Sequence, residues 1–208
     1  MAIIAPSRQF AFVANPKAAS TSIHAALKAI QERPDLDELA RPGLFTSGHA
    51  PASLIREVLG TATWRSLTTI AVVRNPFDWF ASQLTYNRQR RSEPLGLDRT
   101  LTAKDVHDLV SILADARGQE WAASGCQSSF LCSQDATVEV SLLLRMDDLP
   151  QAWPAILRLA NLRSNSRLPR LNHTTHPPWE TWLSSDAQAE IAEVYAQDFD
   201  LYESTSMP

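Results

Sequence analysis

The sequence predicts an α/β fold with a central, mostly parallel sheet flanked by helices, on two observations. Short apolar, β-prone runs at Phe10–Ala14, Thr68–Val73 and Val138–Leu144 each end in a turn signal. Behind each, apolar residues recur at helical spacing, and three strand-to-helix units imply parallel strands covered by helices. A chain of 208 residues, 44% hydrophobic and 20% charged, suits one globular domain over residues 1–208 with its own core.

In the first unit, Asn15-Pro16 stops the strand, and Ile23, Ala26, Leu27 and Ile30 then mark a helix for which Ser20 or Thr21 is a suitable N-cap. A helix is expected at Ala52–Leu59. The second unit ends at Arg74-Asn75-Pro76 and continues as a helix from Phe77 to near Asn87. Another helix, Thr102–Ala114, opens on a Thr102-x-x-Asp105 capping pattern. The third unit ends at Arg145-Met146-Asp147-Asp148, ahead of a helix at Leu149–Ala160. A Ser-, Asn- and Pro-rich loop, Arg163–Pro178, precedes a final amphipathic helix from Ser185 to near Phe199.

A net charge of -4 and a pI near 5.7 argue against a general nucleic-acid or anionic-membrane binder, which needs a broadly positive surface; any basic site is local. Two cysteines, Cys126 and Cys132, are too few for a disulfide framework and form no CxxC pair, which fits a reducing compartment. The start of the chain reads as neither signal peptide nor anchor, and no apolar run is long enough for a membrane span, so a cytoplasmic location is expected. No heptad marks an oligomer interface.

The chemistry concentrates after the first strand, where an α/β sheet presents helix N-termini to ligands. Asn15-Pro16-Lys17-Ala18-Ala19-Ser20-Thr21-Ser22 supplies a cation, three consecutive hydroxyls and small residues that let the backbone approach a phosphate group. It is not a Walker loop: it has no glycine, and its lysine precedes the hydroxyls by three residues. A plain capped helix with a solvated lysine is the competing reading. At the end of the second strand, Arg74 and, two turns into the helix, Ser82 can converge on one anion; a capping arginine and an exposed serine are the plain alternative.

These residues carry a resemblance. Pro16–Ser22 resembles the 5′-phosphosulfate loop of the sulfotransferases, and Val73-Arg74-Asn75-Pro76 through Ser82 and Tyr86 resembles their 3′-phosphate motif, closest to the carbohydrate-type branch. The likeness extends through Gln127–Leu131, Leu144–Leu149, Leu168–Asn172 and Tyr195–Phe199. Ala19 stands where many members have glycine, and Asp78-Trp79 where an arginine is common; Arg170, Asn172 and Thr174 on the late loop are the residues that could compensate.

The resemblance implies a P-loop-like three-layer fold and 3′-phosphoadenosine 5′-phosphosulfate as donor, with no metal. It assigns Lys17 to the leaving phosphate, Ser20, Thr21 and Ser22 to the 5′-phosphate, and His49, in Thr46-Ser47-Gly48-His49, to general-base duty, for which an imidazole is suited. The implied acceptor is a hydroxyl, carbohydrate by branch. His24, His107 and His173-x-x-His176 read as structural rather than zinc-binding. Arg88, Arg90 and Arg91 either collect an anionic acceptor or form an exposed helix end. The tryptophans, among them Trp79, Trp121, Trp153, Trp179 and Trp182, suit core packing or stacking on a base or sugar. Two other functions stay open: a kinase that reads Leu142–Asp148 as a metal-binding strand, and a non-catalytic nucleotide-binding module.

Overall fold

The computed structural model describes residues 2–33, 49–117, 127–163, 167–172 and 174–205. Thr46, Ser47, Gly48, Trp121, Cys126 and His173 lie outside the described residues. Strands β1 (Ile3–Ala5), β2 (Phe10–Val13), β3 (Thr68–Val73) and β4 (Leu142–Arg145) form one sheet in the order β1-β2-β3-β4. The pairs β2–β3 and β3–β4 are parallel, while β1 pairs antiparallel with β2, Ile3 opposite Phe12. This edge strand was not expected, because three apolar residues before Pro6 carry too little pattern to read as an element.

Alternation along the strands divides the core into two layers. Phe10, Phe12, Ile70, Val72 and Leu144 face α1 (Ser20–Leu27) and a later helix at Leu149–Leu159. Ala11, Val13, Ala71 and Val73 face the opposite layer, built from α2 (Ala52–Leu59), α3 (Thr61–Arg65), α4 (Pro76–Arg90), α5 (Ala103–Arg117) and the C-terminal helices. The short α6 (Ser128–Leu131) precedes β4; α7 (Leu149–Leu159), α8 (Trp179–Trp182), α9 (Ser185–Val194) and α10 (Ala196–Glu203) follow it. Helices therefore cover both faces of a mostly parallel sheet, as the sequence predicts.

Several boundaries differ for physical reasons. The third strand starts at Leu142 rather than Val138, because Val138 bridges Cys132, and Ser141 exchanges hydrogen bonds with Thr69 through side chains: the Ser141 N–H donates to Thr69 Oγ1 and the Thr69 N–H to Ser141 Oγ. The last helix breaks at Tyr195, whose ring is buried beside Trp79 at 5.6 Å. Neither Ser20 nor Thr21 caps α1. The N-cap is Ala19, in a left-handed conformation with φ 58° and without a side-chain cap. At α5, the Thr102 N–H does donate to Asp105, as the capping pattern anticipates.

The carboxyl ends of β2 and β3 are fastened by Gln127, which is fully buried. Its Oε1 accepts from the Arg74 N–H at 2.8 Å and from Asn15 Nδ2 at 3.1 Å, and its Nε2 donates to the Arg74 carbonyl at 2.8 Å. Its own N–H donates to Asp198 of α10. In Gln127→Leu the Asn15 amide keeps the Val72 carbonyl, but both Arg74 backbone groups lose this partner, each orphan costing about 1–3 kcal/mol. The expected loss is about 2–4 kcal/mol in chemical denaturation, and a loss below 1 kcal/mol would show that the lock does not carry the strand ends.

Candidate functional site

At those strand ends opens a cavity of about 1020 Å³, room for a nucleotide and part of a second molecule. Its wall includes Pro16, Lys17, Ala19, Ser20, Thr21 and Ser22 from the first loop, His49, Arg74 and Ser82 from the second unit, and Arg170, Asn172 and Thr174 from the late loop. Of the donor-site and catalytic residues assigned from the sequence, Ala18 alone is not on the wall: its side chain is buried in the core beneath α1.

The loop is held from below. The Trp79 indole N–H donates to the Pro16 carbonyl at 3.2 Å, so the residue that departs from the family pattern anchors the loop. Lys17 and Ala19 both have left-handed backbones, φ 60° and 58°. For Ala19 this explains why glycine suits the position, and a non-glycine residue there costs about 1–2 kcal/mol. With no side-chain cap, the first N–H groups of α1 face the cavity, where an anion would meet the positive end of the helix.

Two cations share the site. Lys17 Nζ lies 4.3 Å from the centroid of the Tyr86 ring, and its pKa falls from 10.5 to about 8, first through burial and then through repulsion by Arg74. Arg74 is held at three points: Nε donates to Asp78 at 2.5 Å, Nη1 to the Lys17 carbonyl at 3.3 Å, and Nη2 approaches His176 Nε2 at 3.4 Å. His176 Nδ1 lies 2.9 Å from the Pro177 carbonyl, which can only accept; Nδ1 therefore carries the proton and Nε2 takes the bond from Arg74. The same logic applies to His49. Its Nδ1 is 2.8 Å from the Ala14 carbonyl, so Nε2 is the basic ring nitrogen.

Ser82 Oγ and Thr174 Oγ1 are 2.8 Å apart, joining the second helix to the late loop, and the Leu171 N–H donates to Ser22 Oγ at 3.0 Å. The arginine cluster separates. Arg88 binds Asp105 and the Leu95 carbonyl, Arg91 lies 3.5 Å from Glu93, and Arg90 is on the cavity wall with its guanidinium 5.7 Å from the Tyr86 centroid. Cys132 is no thiolate candidate, since burial, then Asp198 and Glu139, push its pKa up to about 11.

Sequence reasoning did not assign the partners of Arg74, namely Gln127, Asp78 and His176, because glutamine and histidine in separate loops carry no local pattern. It also missed Met146, Leu149 and Leu157, which form an apolar wall with Trp153, a residue already named for core packing or stacking. Its signal was present, an apolar stripe on α7, but a stripe reads as core until the opposite surface is known to be a cavity.

No helix among the described residues is long and apolar enough to cross a membrane. No curated protein matches the chain. The model of the sulfotransferase family matches residues 1–203. With that match spanning nearly the whole chain and covering both strand-end loops of the cavity, the protein belongs to the sulfotransferase family and is a transferase.

Proposed function

We propose that this chain, as a single cytoplasmic domain, transfers the sulfuryl group of 3′-phosphoadenosine 5′-phosphosulfate to a carbohydrate hydroxyl. The observation that carries this reading is one cavity lined by a desolvated lysine and an open helix end together with Arg74, Ser82 and Thr174. Such a site suits a ligand with two separate phosphate groups.

The donor supplies the sulfuryl group: the acceptor oxygen forms a bond to sulfur, the bond from sulfur to the 5′-phosphate oxygen breaks, and adenosine 3′,5′-bisphosphate leaves. Lys17 hydrogen-bonds the bridging oxygen as charge grows there. Ser20, Thr21, Ser22 and the N–H groups of α1 hold the 5′-phosphate. Arg74, Ser82, Thr174, Arg170 and Asn172 hold the 3′-phosphate, and the flat apolar wall around Trp153 receives the base. His49 Nε2 takes the acceptor proton, with its tautomer fixed by the Ala14 carbonyl. The kinase alternative loses support, because neither Asp147 nor Asp148 lines the cavity and Asp147 accepts from the Tyr202 hydroxyl at 3.1 Å.

Calorimetric titration with adenosine 3′,5′-bisphosphate tests the donor site. Binding is expected to be metal-independent and, since a charged hydrogen bond is worth about 1.5–3 kcal/mol, about 10- to 100-fold weaker in Arg74→Ala. A preference for Mg-ATP would instead favour the kinase.

Lys17 adds a pH signature. Its depressed pKa means that it is charged below pH 8 and loses its proton as pH rises through about 8. A bound phosphate raises that pKa again, so at pH 8.5 binding takes up on the order of 0.5–0.8 proton, and affinity declines as pH rises further. Heats compared across buffers of different ionisation enthalpy measure the uptake. It disappears in Lys17→Met; zero uptake in the wild type removes Lys17 from the phosphate site.

Replacing His49 with Ala is expected to lower turnover by about 10²–10⁴ with bisphosphate affinity nearly unchanged. A rate within threefold of wild type would make the imidazole a structural group.

A further inference from the structure

The late loop meets both Arg74 and Ser82, and it does so with residues two apart. Thr174 Oγ1 lies 2.8 Å from Ser82 Oγ, and His176 Nε2 lies 3.4 Å from Arg74 Nη2. The surroundings of His176 fix it as an acceptor. Its ring is stacked on Trp182, centroids 6.0 Å apart and planes 13° from parallel, and its side chain is only 7% exposed. Nδ1 is committed to the Pro177 carbonyl at 2.9 Å, so the lone pair that faces the guanidinium is on Nε2.

A guanidinium carries five N–H donors in one plane, and what it can bind depends on how that plane is turned. Asp78 takes Nε and the Lys17 carbonyl takes an N–H of Nη1, both from the strand-end segments. His176 takes an N–H of Nη2 from the late loop. Each terminal nitrogen is left with one N–H that has no protein partner among the described residues, and Arg74 lines the cavity. Two such N–H groups suit two oxygens of one phosphate. A neutral imidazole orients the guanidinium without cancelling its charge. Asp78 already offsets part of that charge, and a second carboxylate at this point would leave little of it for an anion.

We propose that His176 is a positioning residue for donor recognition: its Nε2 holds Arg74 in the orientation that meets the 3′-phosphate, and so supports the choice of a nucleotide bearing that group. This deepens the sulfuryl-transfer reading above and rests on it. The residue acts through Arg74 and touches no ligand itself.

The test titrates the whole protein with adenosine 3′,5′-bisphosphate and with adenosine 5′-monophosphate, which lacks the 3′-phosphate. In His176→Phe the ring on Trp182 is kept and the lone pair is lost. Bisphosphate binding is expected to weaken about five- to tenfold while monophosphate binding stays within twofold, which also shows that the variant folds. His176→Gln, whose side-chain oxygen can accept in place of Nε2, is expected to recover affinity to within threefold of the wild type. In an Arg74→Ala background the phenylalanine is expected to have no further effect, because the group it positions is gone. Equal weakening for both nucleotides makes the imidazole a structural group and overturns the proposal. So does unchanged bisphosphate affinity in His176→Phe, a glutamine as weak as the phenylalanine, or a loss that persists without Arg74. A wild type that binds the bisphosphate no better than the monophosphate defeats the 3′-phosphate assignment itself, a result distinct from any of these.

Discussion

Everything at the cavity depends on how the ends of β2 and β3 are fixed, and the Gln127 amide fixes them. A parallel sheet leaves the last backbone groups of its strands unpaired just where the chain turns away. Gln127 takes up both the N–H and the carbonyl of Arg74, the residue after β3, and also the side-chain amide of Asn15, two residues beyond β2. Asp198 receives the Gln127 and Ser128 N–H groups, so the C-terminal α10 is part of the same network. The register of the two cationic loops is therefore set by a buried polar cluster rather than by the loops themselves. Such a cluster specifies one arrangement because each broken bond leaves a buried group unpaired.

On that support the site concentrates positive charge at a cost. Lys17 is desolvated and repelled by Arg74, and two loop residues without glycine adopt left-handed backbones. Asp78 offsets part of the charge, while His176 and the Lys17 carbonyl orient the guanidinium. Orphaned polar atoms lie nearby: Asn15 Oδ1 at the root of the loop and Gln83 Oε1, sealed from solvent, on α4. Strain, repulsion and unpaired groups thus collect around one cavity. A dianionic ligand would relieve the first cation's repulsion directly, and this is the behaviour expected of a binding site rather than of a packing defect.

How much of this was legible in the sequence follows from the range of each signal. Strand-to-helix grammar is local, so β2, β3 and the helices at Ala52–Leu59 and Leu149–Leu159 could be read from neighbouring residues. Phosphate-loop patterns are also local: Lys17 and Arg74 were singled out because each follows a recognisable strand end, Ser82 because it lies two turns into the helix behind one, and all three line the cavity. Contacts between distant segments were not legible. Asp78 looked like a missing arginine until its bond to Arg74 was seen, and Trp79 looked like a core residue before its N–H was found on the Pro16 carbonyl. The cap of α1 was misread for a different reason. Ser20 and Thr21 match the cap preference, but the left-handed Ala19 starts the helix one residue earlier and leaves the hydroxyls on the cavity wall.

That displaced cap has a functional consequence. Had a serine capped α1, its oxygen would have satisfied one of the N–H groups that an anion needs, and the helix end would have been more stable and less receptive. Ser22 is engaged differently: its oxygen accepts the Leu171 N–H, which leaves its own proton available to donate while tying α1 to the late loop that carries Arg170, Asn172 and Thr174. Thr174 in turn meets Ser82 on α4. The late loop therefore touches both strand-end segments of the cavity wall through hydroxyls that can also donate to a ligand. Occupation of either segment then bears on the position of the other, and the proposed donor, with two phosphate groups set apart, would engage both at once.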